Sequence, residues 1–203
     1  LTGVYKRSGG TIMYNGAEFS SSTPLAAQNA GINTVYQEVN LCDNLSVAEN
    51  IYAGRQIKKF GIIDWKSIQQ HAEVALAKLN IHIDVTRLLG TYSVAMKQMV
   101  AIARAVDMSS KVLILDEPTV GLDPQQIIEV RALIRRLAEK STVILSTHIL
   151  PEVSQMCNRI VIINHGRLQA IDTPENLTAQ LRQGLVISLT LKGGEPSKVA
   201  EEL

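Results

Sequence analysis

The sequence is poor in cysteine: only Cys42 and Cys157 occur in 203 residues, far apart and outside any Cys/His pattern with zinc spacing. That excludes a disulfide framework and a structural zinc site, and two free thiols suit a reducing compartment. No apolar run approaches the roughly 20 residues that a membrane span requires; the longest, such as Val112 to Leu115, are far shorter. No signal-peptide pattern is visible. Neither sign of charge dominates, with 20 basic against 19 acidic residues and a net charge of +1. This balance provides no electrostatic footprint for nucleic acid or for an anionic membrane surface. No internal repeat is evident. The expectation is a chain soluble by itself, attached to a membrane only through a partner. A G-x-x-x-x-G-K-S/T run is also missing from the whole sequence.

What is present is a hydrophobic fraction of 46%, enough for one domain with a substantial core. Leu1 to Tyr5 reads like the end of a helix capped by Gly3. Thr11 to Tyr14 followed by Asn15-Gly16 predicts a strand entering a hairpin turn, because Asn-Gly tolerates the positive φ that such turns need. Thr23-Pro24 predicts a helix start, with Gly31 as its stop. Ile32 to Tyr36 is a short strand. Ser46 and Glu49 have capping-box spacing.

Ile68, Ala72, Ala75, Leu76 and Leu79 recur at helical spacing, so a helix is predicted from Asp64 to about Leu79. Further helices are predicted over Ser93–Met108, Gln125–Lys140, Pro151–Met156 and from Pro174 to about Leu181. Val112–Leu115 and Thr142–Ser146 read as buried parallel strands, Ile160–Ile163 and Leu168–Ile171 as a hairpin, and Val186–Leu191 as a strand of an appended piece. Trp65 is expected in the core. Leu41, Leu45, Ile51 and Tyr52 form either an apolar contact surface or local core.

Strands alternating with helices argue for an α/β sandwich, whose ligands lie beyond the carboxyl ends of its strands. The two clearest buried strands end in Asp116-Glu117 and in Thr147-His148. Adjacent carboxylates at a strand end point to opposite sides of it. One can hold a metal ion while the other polarises a water; Mg²⁺ favours this, since it binds through few carboxylates and keeps several waters. A solvated strand end is the alternative. His148 is a hydrogen-bond donor for a phosphate or else an ordinary core or surface residue. A helix starting near Ser93 offers free N–H groups and a positive dipole end to phosphate, or is simply capped.

Four stretches in this order carry a resemblance: Val35-Tyr36-Gln37-Glu38; Tyr92-Ser93-Val94-Ala95-Met96-Lys97-Gln98; Val112 to Thr119 with Gly121-Leu122-Asp123-Pro124; and Ser146-Thr147-His148. From about residue 1 to 183 the chain resembles the nucleotide-binding domain of the ATP-binding cassette family. The resemblance implies a P-loop NTPase-like α/β sandwich with a mostly parallel sheet, an inserted helical subdomain and no N-terminal phosphate-loop segment. It implies that Gln37 is a Mg²⁺ ligand and the link to the membrane subunit, and that Ser93 lies in the signature that caps nucleotide on the opposing domain. By the same resemblance Asp116 holds the metal, Glu117 is the catalytic base for water, Asp123 sits at the dimer seam and His148 contacts the γ-phosphate. The implied cofactors are ATP and Mg²⁺. The implied partners are transmembrane permease subunits and a second nucleotide-binding domain, as homodimer or tandem, at the cytoplasmic face of the inner membrane.

The implied organisation is a truncated part of the catalytic core over 1–40, a helical subdomain over 41–90, the rest of the core over 91–183 and a tail over 184–203. Three departures qualify it. The loop that grips the β- and γ-phosphates is absent, and truncation is the simplest explanation. Without that cradle the chain as given is expected neither to bind ATP tightly nor to hydrolyse it. The signature is degenerate, with Val94 where glycine would let backbone approach phosphate. Lastly, residues 1 to about 119 resemble carbohydrate importer ATPases, whereas the text from about Val120 onward resembles exporter-type ATPases, so a hybrid is one reading. Three roles compete: a carbohydrate importer ATPase, an exporter-type ATPase, and a non-catalytic half that only caps a partner's nucleotide. All of them require Asp116, Glu117 and His148 to meet at one rim of a parallel sheet.

Overall fold

The computed structural model describes residues 1–5, 7–37 and 40–183. They divide into two compact units, residues 1–149 and residues 150 onward. The strand expected over 186–191 lies outside the described residues.

The first unit opens with bends at residues 3–5 rather than helix, although Gly3 does take the left-handed conformation at φ 72. A hairpin follows, with β1 (Met13–Tyr14) antiparallel to β2 (Ala17–Glu18). Its turn residues Asn15 and Gly16 sit at φ 51 and 79, the hand that suits strand twist. Helix α1 (Pro24–Asn29) begins as expected, with Thr23 accepting the Ala26 N–H and Pro24 in the first turn. Gly31 (φ 86) then turns the chain into β3 (Ile32–Val35).

Helix α2 (Val47–Tyr52) carries the full capping box. Ser46 Oγ accepts the Glu49 N–H, and the Glu49 carboxylate accepts the Ser46 N–H. Hydrogen bonds to its carboxylate from the Ser46 side chain first and then the Ser46 backbone hold the Glu49 carboxyl below its ordinary range. A second hairpin, β4 (Lys58–Lys59) with β5 (Ile62–Ile63), leads into α3 (Trp65–Ala77). A single 3₁₀ turn at Leu89–Thr91 precedes α4 (Val94–Asp107). Then come β6 (Val112–Asp116), α5 (Pro124–Ala138) and β7 (Thr142–Ser146).

Strands β3, β6 and β7 form one parallel sheet with β6 in the centre. Leu113 and Leu115 on β6 are fully buried; burying a leucine contributes about 1.5–3 kcal/mol. They join one continuous cluster with Val47 and Ile51 of α2, Ile68, Ala72 and Leu76 of α3, Val100, Ile102 and Ala103 of α4, and Val130 and Leu133 of α5.

Two expectations are corrected. Strand β7 is not buried on both faces: Ile144 is 40% exposed, because the core packs only against the alternate face, through Val143 and Leu145. Trp65 is no core anchor: it occupies the first turn of α3, whose buried stripe is Ile68, Ala72, Ala75 and Leu76, and it is 47% exposed. Of the two readings open for Ile51 and Tyr52, local core holds, since both are buried.

In the second unit, α6 (Leu150–Met156) precedes the antiparallel pair β8 (Ile160–Asn164) and β9 (Arg167–Asp172), then α7 (Pro174–Gln183). The β8–β9 turn is His165-Gly166, both at positive φ. Among the described residues no helix is long and apolar enough to cross a membrane.

Ile68 is fully buried at the centre of the cluster. Ile68→Ala should therefore lose about 2–5 kcal/mol of stability, read as a shift of the urea midpoint by circular dichroism. A loss below about 1 kcal/mol would mean that the helices are not packed as described.

Candidate functional site

Parallel pairing fixes where the polar strand ends fall. Val35 on β3 is level with Leu115 on β6, and Asp116 is level with Ser146 on β7. Gln37, Asp116, Glu117, Thr147 and His148 therefore leave the sheet at the same carboxyl edge. Beyond β6 the Glu117 N–H still donates to the Ser146 carbonyl at 2.9 Å. The Glu117 backbone then turns over at φ 47, a conformation that costs an ordinary L-residue about 1–2 kcal/mol. The turn aims the side chain at the neighbouring strand's exit, where Glu117 Oε1 lies 2.7 Å from His148 Nδ1.

The two partners differ in environment. The Glu117 side chain is 17% exposed and that of His148 is 76% exposed. The second oxygen, Glu117 Oε2, is buried without a hydrogen-bond partner. Buried acceptors are rarely left in that state, and as placed this oxygen is closed to solvent. The other donors at this edge are hard oxygens, the Asp116 carboxylate and the Gln37 amide, which is the ligand chemistry of Mg²⁺. Among the described residues no three His, Cys, Asp or Glu side chains gather into a metal-binding cluster.

The remaining candidates sit at helix starts. Ser93 is the N-cap of α4 and accepts the Met96 N–H at 3.3 Å. Asp123 is the N-cap of α5 and accepts the Gln126 N–H at 2.8 Å. Both therefore make the local bonds of ordinary capping residues. Val94, next to Ser93, is 55% exposed and places its bulk at the N-terminus of α4.

Sequence reasoning missed the contacts that hold the segment after Gln37. Lys97 on α4 pairs with Asp43 at 2.7 Å, Arg104 donates to the Asn40 carbonyl at 3.4 Å, and the Gly90 N–H donates to the Asp43 carbonyl at 3.0 Å. Buried Asn50 accepts the Cys42 N–H at 2.7 Å and donates to the carbonyls of Cys42, Leu45 and Ser46. The contacts of Lys97, Arg104 and Gly90 join residues far apart in sequence, and no local motif announces them. Arg55, which pairs with Asp107 at 2.7 Å, lines a cleft of about 730 Å³ with Asn33, Tyr36, Leu41, Arg104 and Met108.

A parallel sheet with polar strand ends at its carboxyl edge is the α/β architecture of the P-loop NTPase fold, and solved structures agree. The structure of CbiO1 from Clostridium perfringens, part of an ABC transporter complex, superposes with a TM-score of 0.74 at 26% identity, covering 90% of this chain and 73% of that one. A nucleotide-free ATP-binding cassette from an ABC transporter gives a TM-score of 0.76 at 19% identity, covering 100% and 80%; at that identity the likeness speaks for the fold alone. The chain belongs to the ABC transporter family, whose family model matches residues 1–120. A model described as an AAA domain matches residues 90–154.

Among curated proteins, the galactofuranose transporter ATP-binding protein YtfR of Escherichia coli is 44% identical over 167 residues, 82% of this chain and 33% of that protein. The fructose import ATP-binding protein FruK of Bifidobacterium longum is 43% identical over 183 residues, 87% of this chain and 36% of that protein. The chain thus spans about a third of the length of these relatives.

The left-handed Glu117 backbone yields a direct test. Asn tolerates that conformation and a β-branched residue does not. Glu117→Asn should be more stable than Glu117→Val by about 1–2 kcal/mol in parallel urea titrations. Equal stabilities would show that the backbone is not turned over there.

Proposed function

We propose that this chain is the ATP-hydrolysing part of a carbohydrate importer, coupling ATP hydrolysis to sugar uptake through membrane permease subunits. The observation that carries the proposal is the 2.7 Å contact between Glu117 and His148 at the edge where Asp116 also emerges. Phosphoryl transfer needs little beyond positioning and charge stabilisation. Glu117 orients the attacking water and accepts its proton on the carboxylate. His148, held by Glu117, donates from its other ring nitrogen to the terminal phosphate. Asp116 and Gln37 would hold Mg²⁺, which would neutralise phosphate charge. Ser93 and Asp123 face a second nucleotide-binding domain, as homodimer or tandem.

Residues 41–90 would form the helical subdomain, 1–40 and 91–183 the core, and 184–203 a tail. The cleft lined by Tyr36, Leu41 and Arg104 is the surface we assign to a permease segment. Its tie to Gln37 runs through the clamped loop 40–46, so the complex would sit peripherally at the cytoplasmic face of the membrane. The importer reading is favoured over an exporter-type ATPase because the sugar-import relatives align across 82–87% of the chain, past Val120. A second reading, a non-catalytic half that caps a partner's nucleotide, is favoured by Val94 in the signature and by the lack of a G-x-x-x-x-G-K-S/T run.

The test is an ATPase assay on residues 1–203 alone and on the same chain fused to a family phosphate-loop segment. The chain alone should be silent. The fusion should turn over ATP, and Glu117→Gln in the fusion should cut kcat by about 10²–10⁴-fold, the usual contribution of a general base. A fusion that binds ATP without turnover would support the capping role instead.

A further inference from the structure

One exposed element is not used by the site at the sheet edge. In the hairpin before α3, Lys58 lies opposite Ile63 and Lys59 opposite Ile62. Phe60 and Gly61 close the turn at φ 52 and 83. Turns of this hand are normally built from Asn, Asp or Gly, and a bulky aromatic there breaks the local rule. Such breaks concentrate where function is served.

Packing does not explain this one. Phe60 is 95% exposed, Ile62 75% and Trp65 47%. The hairpin is nevertheless anchored, since Ile57 and Ile63 pack against the core. A fixed base therefore presents an apolar tip. Lys58, Lys59 and Lys66 flank Phe60, Ile62 and Trp65 in sequence and are exposed. The one carboxylate in the stretch, Asp64, accepts the Ser67 N–H at 3.1 Å and the Ser67 hydroxyl at 2.7 Å and offsets part of the charge of Lys59, so the three lysines still leave the stretch positive. The near-zero charge of the whole chain conceals this local excess of positive charge.

We infer that the Phe60–Ile62–Trp65 tip docks on an anionic phospholipid bilayer. Aromatic and aliphatic side chains flanked by lysines are the composition of interfacial membrane anchors. The apolar groups enter the headgroup–acyl boundary and the lysines reach anionic headgroups. Charge complementarity selects a negatively charged leaflet over a zwitterionic one. Size argues against a protein occupant: a specific protein interface needs about 800 Å² per partner, more than a tip of three side chains supplies. A bilayer needs only a projection. The docking would hold the helical part of the chain at the membrane surface independently of any permease contact, and it does not rest on the ATPase reading.

Trp65 is the only tryptophan in the sequence, so its emission reports on the tip. The full 203-residue chain is mixed, without nucleotide, with vesicles of phosphatidylcholine alone or containing phosphatidylglycerol. With phosphatidylglycerol, Trp65 emission should shift to the blue and the chain should co-sediment, both reversed by salt. Phe60→Ser/Ile62→Ser replaces exposed groups and should leave the circular dichroism spectrum intact while weakening vesicle binding about tenfold or more. Lys58→Gln/Lys59→Gln should weaken it several-fold. No shift with phosphatidylglycerol vesicles, equal binding to phosphatidylcholine alone, or undiminished binding by the Phe60/Ile62 variant would each overturn the inference. So would tip variants that lose a permease contact while the parent ignores vesicles.

Discussion

The parallel pairing of β6 between β3 and β7 is the constraint on which the site depends. A parallel ladder carries strand ends forward in step, so residues that follow each strand in sequence leave at a common edge. The register of Leu115 with Val35 and of Asp116 with Ser146 sets Gln37, Asp116, Glu117 and His148 there together. A slip of one residue would turn Leu113 and Leu115 out of the core. Burial alternates along β6, with Leu113 and Leu115 inside and Val112, Ile114 and Asp116 only partly covered, so packing and chemistry are specified by the same strand.

Around that edge the chain combines strain with restraint. Glu117 is held in a backbone conformation that a glutamate does not favour, tethered by its N–H to Ser146 and by its side chain to His148. The segment after Gln37 is tied to α4 through Asp43–Lys97 and Asn40–Arg104 and to α2 through Asn50.

The elements legible in the sequence were those with local chemical signals. Thr23-Pro24, Ser46 with Glu49, and Asn15-Gly16 each name a cap or turn that a few neighbouring atoms satisfy, and each forms as read. The apolar run 112–115 likewise announced a buried strand. What escaped depends on distant neighbours. Trp65 carries a large apolar surface, yet its helix buries the stripe from Ile68 onward. The β4–β5 hairpin has Phe60 where turn chemistry calls for Asn or Gly, so no turn signal marked it. The ion pairs of Lys97 and Arg55 join residues 54 and 52 positions apart. The candidate site itself was legible as a list of residues; the left-handed turn at Glu117 and its bond to His148 were not.

The most direct measurement is a crystal structure of the chain carrying wild-type Glu117 and His148. The account predicts a Glu117 carboxylate within hydrogen-bonding distance of His148 Nδ1, beside Asp116 at the carboxyl edge of β6. Side chains of Glu117 and His148 on separate surfaces, or a β6 that does not lie parallel between β3 and β7, would contradict it.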